Sequence, residues 1–216
     1  MKKAKYIVIE GTEGVGKTTQ VQLVTSHYKN LGKNVLETKE PGTPHNPLTM
    51  ELRKIMLDVS YDLPRPAREL ISQAIRSIHL EKVVKPALES KDLIIQDRGM
   101  LSAVSYGEAC ENDVTTLRLL CSFACGGNKL DDCVNLYDKV IVLVGDAKKG
   151  LARATAAKQE FAAGDAMEMK GNSFMEQVSN NFKSLAPYIG NVVYVYVDGK
   201  SRETVLKEIT DHIDSL

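Results

Sequence analysis

The sequence predicts an α/β fold of three layers, a five-stranded parallel sheet with helices on both faces. Two observations carry this. Short apolar runs and helix-period segments alternate from end to end, the pattern of strands joined by helical crossovers. The chain is 216 residues long with 43% apolar and 26% charged residues, enough to enclose one large core and ordinary for a globular domain.

Tyr6–Glu10 is a short apolar run rich in β-branched residues, and Asn34–Lys39, Leu93–Asp97, Lys139–Val144 and Val192–Val197 read as four more strands. Between them lie helical patterns over Lys17–Asn30, Leu48–Leu57, about Arg68–Leu88, Thr115–Ala124, Lys148–Lys158, Phe174–Leu185 and Arg202–Ile213. Pro64 and Pro66 mark the entry to the third of these, and Pro86 lies near its end. Glu40–Pro47, Cys125–Cys133 and Gln159–Asn172 are the longest connections, and loops of such length in a compact domain tend to be functional. No repeat, low-complexity segment or linker divides the chain, so a single domain over residues 1–216 is expected.

Lys plus Arg and Asp plus Glu both total 28. That balance speaks against a nucleic-acid or membrane-surface partner held by bulk charge. An anion site here must be a local cluster of cations and backbone donors. No stretch approaches the roughly 18 apolar residues of a membrane span. Cys110, Cys121, Cys125 and Cys133 lack C-x-x-C spacing and lie far in sequence from most of the histidines. They read as reduced thiols of a cytoplasmic protein rather than a zinc site.

Gly11-Thr12-Glu13-Gly14-Val15-Gly16-Lys17-Thr18 follows the first strand and opens the first helix. This is G-x-x-x-x-G-K-[ST] in the strand-to-helix context that gives the pattern its meaning. Its glycines let backbone N–H groups turn inward around a phosphate, and the helix N-terminus adds a positive dipole end. Lys17 reaches the β- and γ-phosphates of ATP, and the Thr18 hydroxyl can hold Mg2+. Asp97 closes the third strand, where a magnesium-organising carboxylate belongs. Asn128-Lys129-Leu130-Asp131 spells a guanine-reading signature, but no apolar strand precedes it and the usual region holds no D-x-x-G switch, so the match is accidental.

At this point the chain resembles the thymidylate kinases, over nearly its whole length. Tyr6 through Thr19 resembles that family's opening, and Lys39-Glu40-Pro41-Gly42-Thr43 with Leu52-Arg53 its R-E-P-G-G loop and the arginine after it. Arg76 followed by Lys85-Pro86-Ala87-Leu88, then Asp97-Arg98, Ser102 and Tyr106, and finally Phe174, Val178, Phe182, Leu185 and Ala186 resemble further family motifs. The resemblance implies a P-loop kinase with a monophosphate pocket and a mobile lid, about residues 148–172, over ATP. It implies Gly11, Thr12, Gly14, Val15, Gly16, Lys17, Thr18 and Thr19 as the ATP cradle, and Thr18 and Asp97 at Mg2+. Glu13 and Arg98 would flank the transferred group, and Arg53 would hold the acceptor phosphate with Arg98. Glu40 would line the sugar side, Arg76 would donate to a base carbonyl, and Tyr106 would lie under the sugar and select deoxyribose. Small-molecule nucleotides are the implied partners, and a homodimer is implied by resemblance alone.

Three pocket positions depart from the family. Ser72 stands where phenylalanine usually stacks on the base, Ala103 replaces a polar residue at the base edge, and Gly107 replaces a glutamine. Each change removes volume, which leaves two substrates open: thymidine monophosphate, or a bulkier or modified deoxynucleoside monophosphate. The lid departs as well. Arg153 remains, but the next family arginine positions read Thr155 and Ala157, and Ala166 follows Asp165, with Lys148, Lys149, Lys158 and Lys170 as further cations. Arg153 is the first choice for the lid's catalytic cation and Lys158 the second. A depleted lid also keeps open an inactive P-loop binding module.

Overall fold

The structure is a computed structural model that describes residues 4–147, 149–150, 152, 167 and 170–216. Its strands are β1 (Lys5–Gly11), β2 (Val35–Lys39), β3 (Leu93–Asp97), β4 (Lys139–Val144) and β5 (Val192–Tyr196). All neighbours pair in parallel in the order β2-β3-β1-β4-β5. β1 thus lies between β3 and β4, and its C-terminal end is a point where the strand order reverses. Ligands of open α/β sheets bind at such points.

The period-2 alternation of the strands builds two cores. Tyr6, Val8, Ile94, Val140 and Val142 face one layer, and Ile7, Ile9, Leu93, Ile95, Ile141 and Leu143 face the other. The second layer is formed by α1 (Lys17–Asn30) and, after β5, a C-terminal helix whose Val205, Ile209 and Ile213 pack against Val21 and Val24 of α1. α2 (Pro47–Leu57) starts at an N-cap, Asn46, whose side chain accepts from the Thr49 N–H.

The long helical pattern expected over Arg68–Leu88 is a nearly continuous rod in three parts: α3 (Arg65–His79), a π-helical turn (Leu80–Val84) and α4 (Lys85–Ser90). Pro86 explains the break, because its ring has no N–H and clashes with the carbonyl four residues back, and the wide turn before it relieves both. α5 (Met100–Ala109), α6 (Val114–Ala124), α7 (Gly171–Ser184) and α8 (Arg202–Asp214) follow along the chain. α5 is not among the helices expected from the sequence. Seven of its ten residues are buried, so it has no polar face to display a 3.6 period. The pattern expected over 148–158 lies largely outside the described residues. Among those described, no helix is long and apolar enough to cross a membrane.

Candidate active site

β1 ends at Gly11 and α1 begins at Lys17, so residues 12–16 wrap the gap between strand and helix. Gly14 and Gly16 have φ of 65° and 105°, a region that glycine enters without cost. A Cβ on Gly14 would stand 1.8 Å from the Gly150 carbonyl oxygen, so no other residue fits. α1 has no side-chain cap, which leaves its first N–H groups open to an anion. Glu13, Gly14, Val15, Gly16, Lys17, Thr18 and Thr19 line a cavity of about 710 Å³, whereas Gly11 and Thr12 are not among its lining residues.

Lys17 is buried and donates from Nζ to the Thr12 carbonyl at 2.6 Å. Burial, aided by Arg98, lowers its pKa from 10.5 to about 8 against the pull of Glu13, Asp97 and Glu10. Phosphate oxygens favour the charged form. Above pH 8, ATP binding is therefore expected to take up a proton, and affinity to fall by up to about tenfold per pH unit. Calorimetry at pH 9 in two buffers of different ionisation enthalpy reads the uptake; its absence would remove Lys17 from the phosphates.

The Thr18 hydroxyl donates to Asp97 Oδ2 at 2.6 Å, while Asp97 Oδ1 is buried and unpartnered among the described residues. A hydroxyl and a carboxylate oxygen left over in one place fit a hard divalent cation. Asp97 is followed by Arg98, whose φ of 66° costs a residue with a Cβ about 1–2 kcal/mol. The bend is held by the Arg98 N–H donating to the Ile9 carbonyl at 2.9 Å and by Gln96 Nε2 donating to the Arg98 carbonyl at 2.7 Å. It sends the guanidinium back across the P-loop, to Glu13 Oε1 at 2.5 Å, the Gly11 carbonyl at 3.2 Å and Ser102 Oγ at 2.9 Å. The same group lies 5.1 Å from the centre of the Tyr106 ring.

Glu10 lies within the family-like opening Tyr6–Thr19, where no motif assigns it a role. Wholly buried at the end of β1, it accepts from the Gly99 N–H at 2.8 Å, the Ser102 N–H at 2.9 Å and the Ser102 hydroxyl. It therefore caps α5 from another element, a carboxylate at a helix N-terminus. Burial raises its pKa, and the Ser102 hydrogen bonds oppose that. Glu10 fixes α5 and with it the face that carries Ser102, Ala103 and Tyr106.

A second cavity, of about 730 Å³, runs between α3 and α5. Ser72 and Arg76 line it from α3, Ala103, Tyr106 and Gly107 from α5, and Arg53 from α2. Ser72 and Ala103 both stand on its wall. Gly107 serves the packing of helices instead. A Cβ there would lie 2.7 Å from Leu117 Cδ2 and 2.9 Å from Cδ1, so this glycine lets α5 and α6 meet. Lys170 also lines the cavity, whereas Lys149 is an exposed partner of Asp146. Arg153 and Lys158 lie outside the described residues.

Glu40 and Arg76 form a buried pair, with Arg76 Nε and Nη2 donating to Glu40 Oε2 at 3.0 and 2.8 Å. His79 Nδ1 meets Glu40 Oε1 at 3.0 Å, and His79 Nε2 meets Thr38 Oγ1 at 2.9 Å. Burial alone would raise the Glu40 carboxyl, but Arg76 and His79 outweigh it and bring it to about 2. His79 is a further residue that no motif in the sequence marks. The rest of Arg76 is engaged too: Nη1 donates to Gln73 Oε1 at 2.7 Å and towards Cys121 Sγ at 3.5 Å, and Nη2 to the Gly99 carbonyl at 3.4 Å. The N-K-x-D segment is a turn tied to α6 through Arg118 and Asp131, and it lines neither cavity.

The two cavities share Glu13, Glu40, Arg53 and Arg98. A phosphate cradle opening onto a second pocket through two arginines is the site of a P-loop nucleotide kinase, and the five-stranded parallel sheet is the fold of that class. Comparison with known proteins narrows the class. The thymidylate kinase family model matches residues 9–209. A thymidylate kinase of Halothermothrix orenii is 31% identical over 206 residues, 94% of this chain and 93% of that protein. One of Campylobacter concisus is 33% identical over 214 residues, 97% of this chain and 98% of that protein. One of Geotalea daltonii is 33% identical over 186 residues, 84% of this chain and 83% of that protein. The chain belongs to the thymidylate kinase family.

Proposed function

We propose that this protein transfers the γ-phosphoryl group of ATP to the phosphate of thymidine monophosphate, giving thymidine diphosphate and ADP. The observation that carries the reading is the shared wall of the two cavities, Glu13, Glu40, Arg53 and Arg98. ATP enters the P-loop cavity, with its β- and γ-phosphates against the loop N–H groups and Lys17. The monophosphate enters between α3 and α5, with its phosphate at Arg53 and Arg98. An acceptor oxygen forms the new bond to the γ-phosphorus as the bond to the β-phosphate oxygen breaks, and that electron pair leaves on ADP. Such a reaction needs in-line positioning and positive charge around the moving group. Lys17, Arg53 and Arg98 supply both, and Glu13 holds the Arg98 fork in place. Mg2+ arriving with ATP would be held by Thr18 and Asp97 and would neutralise charge on the β- and γ-phosphates. Arg153, by its place in the sequence, is the next cation for that role. By resemblance the enzyme is a homodimer, and its balanced charge and widely spaced cysteines read as a cytoplasmic protein with no nucleic-acid partner.

Tyr106 makes this reading testable at the sugar. Its ring is wedged by Arg98 on one side and by Phe174, whose centroid is 6.1 Å away at 66°. A 2′-hydroxyl pressed on this ring loses its water without gaining a partner, at a cost of about 1–3 kcal/mol. The expected result is at least tenfold higher kcat/KM for thymidine monophosphate than for its ribo counterpart; equal values contradict this placement of the sugar. Ser72 and Ala103, both on the cavity wall, favour a second reading in which a bulkier deoxynucleotide is also taken.

A further inference from the structure

One titratable group in the acceptor cavity has no part in phosphoryl transfer. Glu69, Ser72, Gln73 and Arg76 recur along α3 at the spacing of one helix face. Glu69 lies seven residues before Arg76, about 10 Å along the helix axis. It therefore stands away from the phosphate junction, on the stretch of wall shared with Gly107.

Its carboxyl is held in one orientation. Gln73 Nε2 donates to Glu69 Oε1 at 2.6 Å, and Gln73 cannot turn its amide because Arg76 Nη1 donates to Gln73 Oε1 at 2.7 Å. The other oxygen, Oε2, lies 3.4 Å from where a Cβ of residue 107 would be. It has no hydrogen-bond partner among the described residues. The five N–H groups of Arg76 all have protein acceptors, so in this arrangement the guanidinium offers no spare donor to a base carbonyl. The stretch of wall away from the phosphate junction thus presents an unused acceptor. Burial also raises the Glu69 pKa, opposed by Gln73 and Arg76, as expected of a carboxyl still lacking a donor.

We propose that Glu69 reads the edge of the base by accepting a hydrogen bond from an exocyclic amino group, so that the site takes amino-bearing deoxynucleoside monophosphates as well as thymidine monophosphate. Carboxylates accept from the cytosine amino group in the same way elsewhere. The inference rests on the reading of this cavity as the nucleoside monophosphate site.

Glu69→Gln separates the possibilities because it changes one atom. Gln73 would still donate, and the oxygen of the new amide would take that bond, leaving its NH2 toward the base. An acceptor becomes a donor without change of shape. The natural protein is expected to phosphorylate deoxycytidine or deoxyadenosine monophosphate. Glu69→Gln should lower kcat/KM for that nucleotide about tenfold or more, mainly through KM, and raise kcat/KM for thymidine monophosphate, because its NH2 can donate to the thymine carbonyl. Glu69→Leu should lose the amino nucleotide without that gain. If the natural protein converts thymidine monophosphate but neither amino nucleotide, the inference is wrong and the kinase reading stands. A parallel fall for all nucleotides in Glu69→Gln, with its thermal midpoint unchanged, overturns it as well. If no nucleotide is phosphorylated, the kinase reading fails and the inference with it.

Discussion

Lys17→Ala is expected to lower kcat by about a thousandfold, the cost of removing one preorganised charge from a phosphoryl-transfer site, while the protein remains folded. Both halves follow from its surroundings. Lys17 is buried at the floor of the P-loop with its Nζ 2.6 Å from the Thr12 carbonyl, where in the proposed reaction its ammonium would follow the charge that moves from the γ-phosphate to ADP. Its pKa in the fold, about 8, is below the ordinary 10.5. A lysine whose pKa falls on folding opposes the fold while it is charged, below about pH 8. Removing it is therefore expected to leave the melting temperature at pH 7 unchanged or higher. Comparable turnover in a folded variant would move the chemistry away from this loop. A variant that is inactive because it unfolds would contradict the linkage argument.

Arg98→Ala is the second large effect, expected on the acceptor side. The guanidinium joins Glu13, Ser102 and the Gly11 carbonyl and packs on Tyr106, so in the proposed reaction it would organise both the acceptor phosphate and the sugar platform. Its loss should reduce kcat/KM for thymidine monophosphate by about a hundred- to a thousandfold, with the dissociation constant of ATP changed only a few-fold. Arg98→Lys should recover little, because an ammonium cannot make the planar fork that meets a carboxylate and a phosphate together. Equal losses in nucleotide affinity on both sides would show that Arg98 supports the P-loop rather than the acceptor.

The strands and the phosphate cradle were legible because their signals are local. β3 and β4 are continuous apolar runs at the centre of a parallel sheet, and they begin and end where the sequence places them. The P-loop is a pattern of glycines, Lys17 and Thr18 within eight residues. What the sequence hid is whatever depends on a distant partner. Glu10 is an unremarked acid until α5 is seen resting its N-terminus on it, and His79 becomes a partner of Glu40 only when β2 and α3 are side by side. α5 itself escaped because burial on nearly all sides removes the polar stripe that marks a helix. Gly107 is the most instructive position. Counted as missing volume it enlarges a pocket, yet in the fold that volume is filled by Leu117. Glu69 shows the converse, since a charged residue on a helix ordinarily reads as solvated surface, and only the cavity between α3 and α5 makes it a group on the wall of a pocket.

In the proposed reaction, ATP bound at the P-loop gives its phosphoryl group to a phosphate seated at Arg53 and Arg98. ADP release measured with thymidine monophosphate, with thymidine and with no acceptor tests it most directly. The structure predicts rapid release with the monophosphate, accompanied by thymidine diphosphate in equal amount, and only background with the other two. Thymidine phosphorylated as well as its monophosphate, or ADP released at the same rate without any acceptor, would contradict it.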